Sequence, residues 1–252
     1  MALKLLINGE AGVGKTELLD SLDKKTFVAS RDAKKFGLKL PHFLLEEWTD
    51  MSTFIYGVGE GENRIPGIVD KMEDYNEKFG EYPTNVAFDS VSQIFMDVID
   101  KASQTPNVYG SQGAEVTKEM AILTKFIHED LELNGINVIL LNHVIEERDE
   151  GKPTGSYVSF GAGKFLAKGG FYSTTNESIT LVASGENRKV ITRGKDKQAR
   201  TTLKDTPEIM WVENTVDPKR SKKLKEGEEY FTLAGYLELL LNDQSDVEEW
   251  SL

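Results

Sequence analysis

The chain contains no cysteine. Disulfides, thiolate metal centres and cysteine nucleophiles are therefore excluded, and the composition suits a reducing cytoplasm, the compartment expected here. Three histidines, His42, His128 and His143, are scattered without metal-ligand spacing. No apolar run approaches the ~18 residues that a membrane helix needs. The opening "MALKLLINGEAG" lacks the apolar stretch and small-residue cleavage site of a secretory leader. Neither a membrane partner nor a leader is expected. Positive charge is also scarce: 30 Lys and Arg stand against 42 Asp and Glu, a net charge of −12. A surface that grips nucleic acid throughout is basic. The balance counts against wholesale coating of DNA and leaves room for a local basic loop on an acidic body.

What is present begins with "NGEAGVGKTELLDSL". The segment Gly9-Glu10-Ala11-Gly12-Val13-Gly14-Lys15-Thr16 fits G-x-x-x-x-G-K-T in full. Glycines let the backbone curl with its N–H groups turned inward, a cradle for phosphate oxygens. In such a loop Lys15 reaches the β- and γ-phosphates and the Thr16 hydroxyl can bind Mg²⁺. A helix starting near Lys15 adds its positive end to the same anion. An apolar run, "LKLLI", precedes the motif and a helical pattern with Leu18, Leu19 and Leu22 follows, as the motif requires. Gly9 through Glu17 is the expected nucleotide-binding segment.

The rest of the chain reads as alternating elements. "TFVAS" (26–30) is a short strand. Residues 42–61 hold another short strand and part of a helix, and 65–79 carry apolar residues at helical spacing. "TNVAFD" is a buried strand followed by a helix in "SQIFMDVIDKAS". Residues 104–115 read as a loop by their Pro, Gly and Asn content. Residues 116–135 read as a long amphipathic helix closed by Gly135, and 136–143 as an apolar strand ending abruptly in Asn-His. Residues 146–170 form a long Gly-rich segment. "FYSTTNESITLVAS" and "NRKVITRG" pair as antiparallel strands around "GEN", and "TLAGYLELLL" closes the fold as a helix. This predicts an α/β fold with a mostly parallel central sheet, flanking helices and an antiparallel extension towards the end. With 252 residues, one domain is expected over 1–240, followed by an acidic tail at 241–252 that offers a possible protein contact.

Phosphate-loop enzymes need a second acid at the end of a neighbouring strand to hold Mg²⁺ through its water shell. Asp89, ending "NVAFD", supplies it. The order of parts, "FDSVSQIF", a Gly-bearing loop, a long helix, "VILLNH" and a Gly-rich loop before "GKFLAKGGFYSTTN", resembles the core of RecA-like recombinases over Leu3 to Ile191. The compact size is most similar to the phage-type, single-domain members, which include single-strand annealing proteins. That resemblance implies a RecA-like P-loop ATPase using ATP and Mg²⁺. It implies assembly as a ring or filament on single-stranded DNA, inside an infected bacterial cytoplasm.

The same resemblance assigns roles. Asp89-Ser90 ends the Mg²⁺ strand, residues 104–115 take the place of a first DNA loop, and about 147–164 that of a second. His143 occupies the position of a γ-phosphate sensor, where the recombinases proper carry an amide; a structural cap on its strand is the alternative. The family's base, a Glu after the second strand, is replaced by Asp32 beside Arg31, which points to slow hydrolysis or to another base, with Glu46 and Glu47 as candidates. Lys197 and Arg200 in "RGKDKQARTT" resemble the pair that reaches a neighbouring subunit's phosphate; an ordinary basic turn is the alternative. In the Gly-rich segment, Lys152, Lys164 and Lys168 offer charge to phosphates, and Tyr157 and Phe160 offer faces to unpaired bases. Three other functions stay open: a motor or loader acting through a protein partner, favoured by the acidic charge; a nucleotide switch with little turnover, favoured by the missing Glu; and a small-molecule kinase, disfavoured because no Arg-rich lid is present.

Overall fold

The computed structural model describes residues 2–31, 39–44, 48–104, 111–150, 152–159, 170–194, 198–215 and 217–245. Among these, nine strands form one mixed sheet in the order β3-β2-β4-β5-β1-β7-β8-β9, with β6 paired to β5 alone. The strands are β1 (Lys4–Gly9), β2 (Thr26–Ser30), β3 (His42–Leu44), β4 (Asn85–Asp89), β5 (Asn137–Asp149), β6 (Lys152–Ser159), β7 (Glu177–Ser184), β8 (Asn187–Ile191) and β9 (Ile209–Val212). From β3 across to β7 every neighbour is parallel; the β7–β8–β9 end and the β5–β6 hairpin are antiparallel. The predicted α/β class with a mostly parallel sheet and an antiparallel extension is what the chain forms.

The central strands read as apolar runs because both of their faces are covered. Side chains alternate sides along a strand. Leu6, Val86, Phe88, Val138 and Leu140 enter one core, and Leu5, Ile7, Ala87, Ile139 and Leu141 enter the other. The first core is closed by helices α2 (Met51–Tyr56), α3 (Ile68–Phe79), α4 (Val91–Ser103) and α5 (Ser111–Lys125). The second is closed by α1 (Lys15–Leu19) and the last helix, α7 (Leu233–Ser245), through Leu18, Leu19, Leu233, Leu237 and Leu240. A short helix, α6 (Gly170–Thr174), precedes β7. Truncating a fully buried ring such as Phe88 would cost about 3–5 kcal/mol.

Local signals explain several boundaries. Asp50 and Ser90 accept backbone N–H bonds from Thr53 and Gln93, capping α2 and α4. Gly80 takes φ of 79° and stops α3 where the sequence turns to "GEYP". α5 runs on through a π-helical stretch, Phe126–Glu132, and Gly135 turns the chain with φ of 75°.

Four expectations need correction. The strand expected to end at His143 continues to Asp149 and folds back as β6, because Val144 and Ile145 pair with Ser159 and Val158. Much of the expected Gly-rich loop is therefore a hairpin. The loop expected over 104–115 is helical from Ser111, since its apolar and polar residues continue the spacing of α5; residues 105–110 lie outside the described residues. "FYST" forms α6 rather than a strand, with Ser173 and Thr174 bonding back to carbonyls of their own turn. α7 crosses the expected boundary at 240 and continues to Ser245. β9 was not anticipated from the sequence.

Candidate phosphate-binding site

β1 sits between β5 and β7, and its last residue, Gly9, lies opposite His143 and Leu181. A Cβ on Gly9 would stand 2.9 Å from the Leu181 carbonyl oxygen, so only glycine fits where the loop leaves the sheet. Gly12 and Gly14 hold φ of 77° and 96°, the left-handed region that glycine enters without strain. Space around Gly12 is open. The loop thus curls as the motif requires. α1 is only five residues long, so the dipole expected at its start is weak, and the loop amides and Lys15 carry the site's positive character.

Lys15 is 5% exposed. Its Nζ donates to the Gly9 and Glu10 carbonyls at 2.8 and 2.9 Å and stands 3.1 Å from His143 Nδ1. An ammonium has no acceptor, so His143 Nδ1 accepts and the ring proton lies on Nε2. The Thr16 hydroxyl donates to Asp89 Oδ2 at 2.8 Å. Asp89 is itself 5% exposed at the end of β4, and the Asp89–Ser90 peptide is cis. Lys15, Thr16, Asp89 and His143, chosen from three separate stretches, are thereby brought together at one end of the sheet. Glu17 faces away from Asp89 to meet Arg188 of β8, whose Nη1 lies 2.5 Å from Glu17 Oε2 and also covers Gly14.

A buried polar chain underlies the loop. Ser92 at the start of α4 donates to Asn142, Asn142 donates to Asn8, and Asn8 donates to Ser178 and to the Gln198 carbonyl, all between 2.8 and 3.0 Å. Ser92 Oγ also accepts the backbone N–H of His143 at 2.6 Å. Asn8, Asn142 and Ser178 are fully buried. Sequence reading passed over these residues. The available signal was an asparagine within two otherwise apolar strands, "LLING" and "VILLNH", where an unpaired amide would be costly.

Two grooves flank the loop. One, of about 670 Å³, runs from Glu10 and Ala11 past His143 to Ser92, Gln93 and Ile145. The other, of about 410 Å³, lies on the opposite side, between Glu17, Arg188, Thr215 and Tyr230.

The remaining candidates fall elsewhere. Asp32, Glu46, Glu47, Phe160, Lys164, Lys168 and Lys197 lie outside the described residues. Arg31, beside Asp32, is ion-paired with Asp97 of α4. Arg200, expected as one of a trans-acting pair, makes contacts within its own chain. Its guanidinium donates to the Tyr172 and Thr175 carbonyls and lies 4.4 Å over the Tyr172 ring. Thr175 precedes β7, at the end of the sheet opposite to the loop, and these contacts lie within Arg200's own chain. Lys152 is exposed on β6, opposite Asp149. Around it β5 and the turn present Glu146, Glu147, Asp149 and Glu150, so the described part of the hairpin is acidic, which disfavours phosphate backbones. Tyr157 lies on β6 opposite Glu146.

Among the described residues no three His, Asp or Glu side chains stand close enough to hold a metal by themselves. The Thr16 hydroxyl and Asp89 carboxylate are a donor set that fits Mg²⁺ only when phosphates and water complete the shell, as the metal's chemistry favours. No helix among the described residues is long and apolar enough to cross a membrane. No family model matches the chain, and no curated protein matches it in sequence.

Proposed function

We propose that the chain binds ATP with Mg²⁺ in the Gly9–Thr16 loop, hydrolyses it slowly and assembles on single-stranded DNA as a RecA-like phage protein. The observation that carries the nucleotide reading is the joint placement of Lys15 and the Thr16–Asp89 pair on a glycine-curled loop. Thr16 and Asp89 would hold Mg²⁺, which would supply charge neutralisation to the phosphates. The protein's own part is positional. The loop amides receive the phosphates, Lys15 exchanges its carbonyl partners for phosphate oxygens, and Thr16 and Asp89 orient the metal and its waters. His143, held through its backbone by Ser92, stands where a terminal phosphate would be sensed. Of the two grooves, the one with Arg188 and Tyr230 suits a base and ribose, and the one beside His143 suits a partner that reads the terminal phosphate.

The DNA part rests on the resemblance of Leu3–Ile191 and on aromatic and basic residues of 152–168. Filter binding of a labelled oligonucleotide with and without ATP tests it. ATP-dependent retention, with hydrolysis stimulated by DNA, is expected; retention indifferent to ATP refutes it. The acidic β5–β6 hairpin favours a second reading, in which the nucleotide-bound chain acts on a protein partner as a motor or loader. Hydrolysis unmoved by DNA, with nucleotide binding intact, would select that reading.

A further inference from the structure

On a chain of net charge −12, one groove runs against the trend. It lies between β3, the last strand of the sheet order, and α3. Its volume is about 780 Å³ and its walls carry Lys24, Lys39, Lys71 and Lys78, with Asp74 as the one lining carboxylate among the described residues. Asp74 is already paired with Lys71 at 2.6 Å. No ion pair joins Lys24, Lys39 or Lys78 to a carboxylate among the described residues. The floor is aromatic. Lys71 Nζ lies 5.5 Å over the Phe43 ring and Lys78 Nζ lies 5.3 Å over the Phe79 ring. Phe79 is 41% exposed. Ammonium groups beside open aromatic faces suit an acidic segment that also brings an aromatic side chain.

The chain holds such a segment. "DQSDVEEWSL" (243–252) sets Asp243, Asp246, Glu248 and Glu249 around Trp250. Its first three residues end α7, which packs on the core of Leu5, Ile7 and Val28, and residues 246–252 lie outside the described residues. Of the groove's walls, Phe27, Tyr75 and Phe43 join the first core and Leu40 joins the second. The segment's four carboxylates and single indole match the groove's lysines and its open ring.

We propose that the acidic segment 243–252 of one copy docks in the lysine groove of a second copy, its carboxylates on the lysines and Trp250 on the exposed rings. The groove lies on β3 and α3 and the phosphate loop on β1, so this contact stands or falls without the nucleotide reading.

The test uses the full chain with its acids neutralised (D243N/D246N/E248Q/E249Q) as receptor and a fluorescent synthetic peptide of residues 243–252 as probe. Anisotropy at low salt should show saturable binding. It should weaken at least ten-fold with Trp250→Ala in the peptide and at least ten-fold with K24E/K71E/K78E in the receptor. Circular dichroism and melting check that the receptor variants fold, and K78E alone provides a milder variant. In sedimentation, the native chain should self-associate with rising concentration and the acid-neutralised chain should not. Equal peptide binding to the lysine variants overturns the proposal. So does a native chain that stays monomeric at all concentrations, or a groove that takes labelled oligonucleotide while ignoring the peptide.

Discussion

The hydroxyl of Thr16 and the carboxylate of Asp89 meet at 2.8 Å, although β1 and β4, which deliver them, are separated in the sheet by β5. One bond therefore ties the turn after the first strand to the end of the fourth. Under the proposed nucleotide reading this pair would hold Mg²⁺, so its disruption should be read through the metal. Asp89→Asn keeps the shape and the acceptor oxygen but removes the charge. Nucleotide affinity should fall at least ten-fold in Mg²⁺ and change little in EDTA, as measured by titration calorimetry. Equal losses in both buffers would mean that Asp89 serves only the loop's conformation.

Lys15 presents a separable question, because its ammonium holds two loop carbonyls in addition to any ligand. Lys15→Ala should lose roughly 1–3 kcal/mol of stability, mostly from the buried Gly9 carbonyl left without its donor. Nucleotide binding should weaken at least a hundred-fold. Denaturant melts and a fluorescent nucleotide titration give the two numbers. A chain that still binds nucleotide well would remove the loop from the functional reading.

The asparagine chain beneath the loop predicts coupling. Asn8→Leu removes the acceptor of the Asn142 amide and one donor each to Ser178 and the Gln198 carbonyl, which keep their bond to each other; a buried polar group that loses its bond costs roughly 1–3 kcal/mol. Asn142→Leu strands Ser92, which orients the His143 backbone. The double variant should lose less than the sum of the single losses, because both break the same network. Urea melts of the four proteins measure the difference. Strict additivity would mean that the two amides act alone.

How much of this was legible beforehand follows from what each signal encodes. The loop from Gly9 to Thr16 was readable because backbone curvature demands glycine at fixed spacing, and Asp89 because an acid closing a buried strand stands out. The central strands were readable as apolar runs. The length of β5 was not: Glu146, Glu147, Arg148 and Asp149 show no apolar pattern, and only pairing with β6 makes them a strand. Arg200 looked like a free cation because its partners are carbonyls of Tyr172 and Thr175, which carry no side-chain signal. Asn8 and Asn142 stood out only as amides in apolar strands; their pairing could not be read until the partner across the sheet was known.

Arg200 yields a prediction that runs opposite to a finger. Arg200→Ala removes a cation stacked on Tyr172 and leaves two carbonyls without their donor. The melting temperature should drop by several degrees, in line with about 2 kcal/mol in a domain of this size. Mixing the variant with native chain should not poison native hydrolysis in proportion to its share. Unchanged stability with subunit poisoning would restore the trans role.

Far from the loop, Lys4 in β1 is ion-paired with Glu132, and His128 Nδ1 stands 3.0 Å from the same carboxylate. Burial alone would raise the Glu132 pKa, but hydrogen bonds from Lys4 and His128 and their charges outweigh it and hold the group below its ordinary value. A carboxyl lowered on folding contributes stability that is fully present above its unfolded pKa of about 4.3 and is lost as pH falls through the lower folded value. Native stability in urea should therefore decline between about pH 5 and pH 3. Glu132→Gln should be less stable at pH 7, because the Lys4 ammonium loses its charge partner. Its decline with acid should be shallower than that of the native chain. Parallel pH profiles for the two proteins would show that other carboxylates dominate the acid limb and that the Lys4–Glu132 pair contributes no pH-dependent stability.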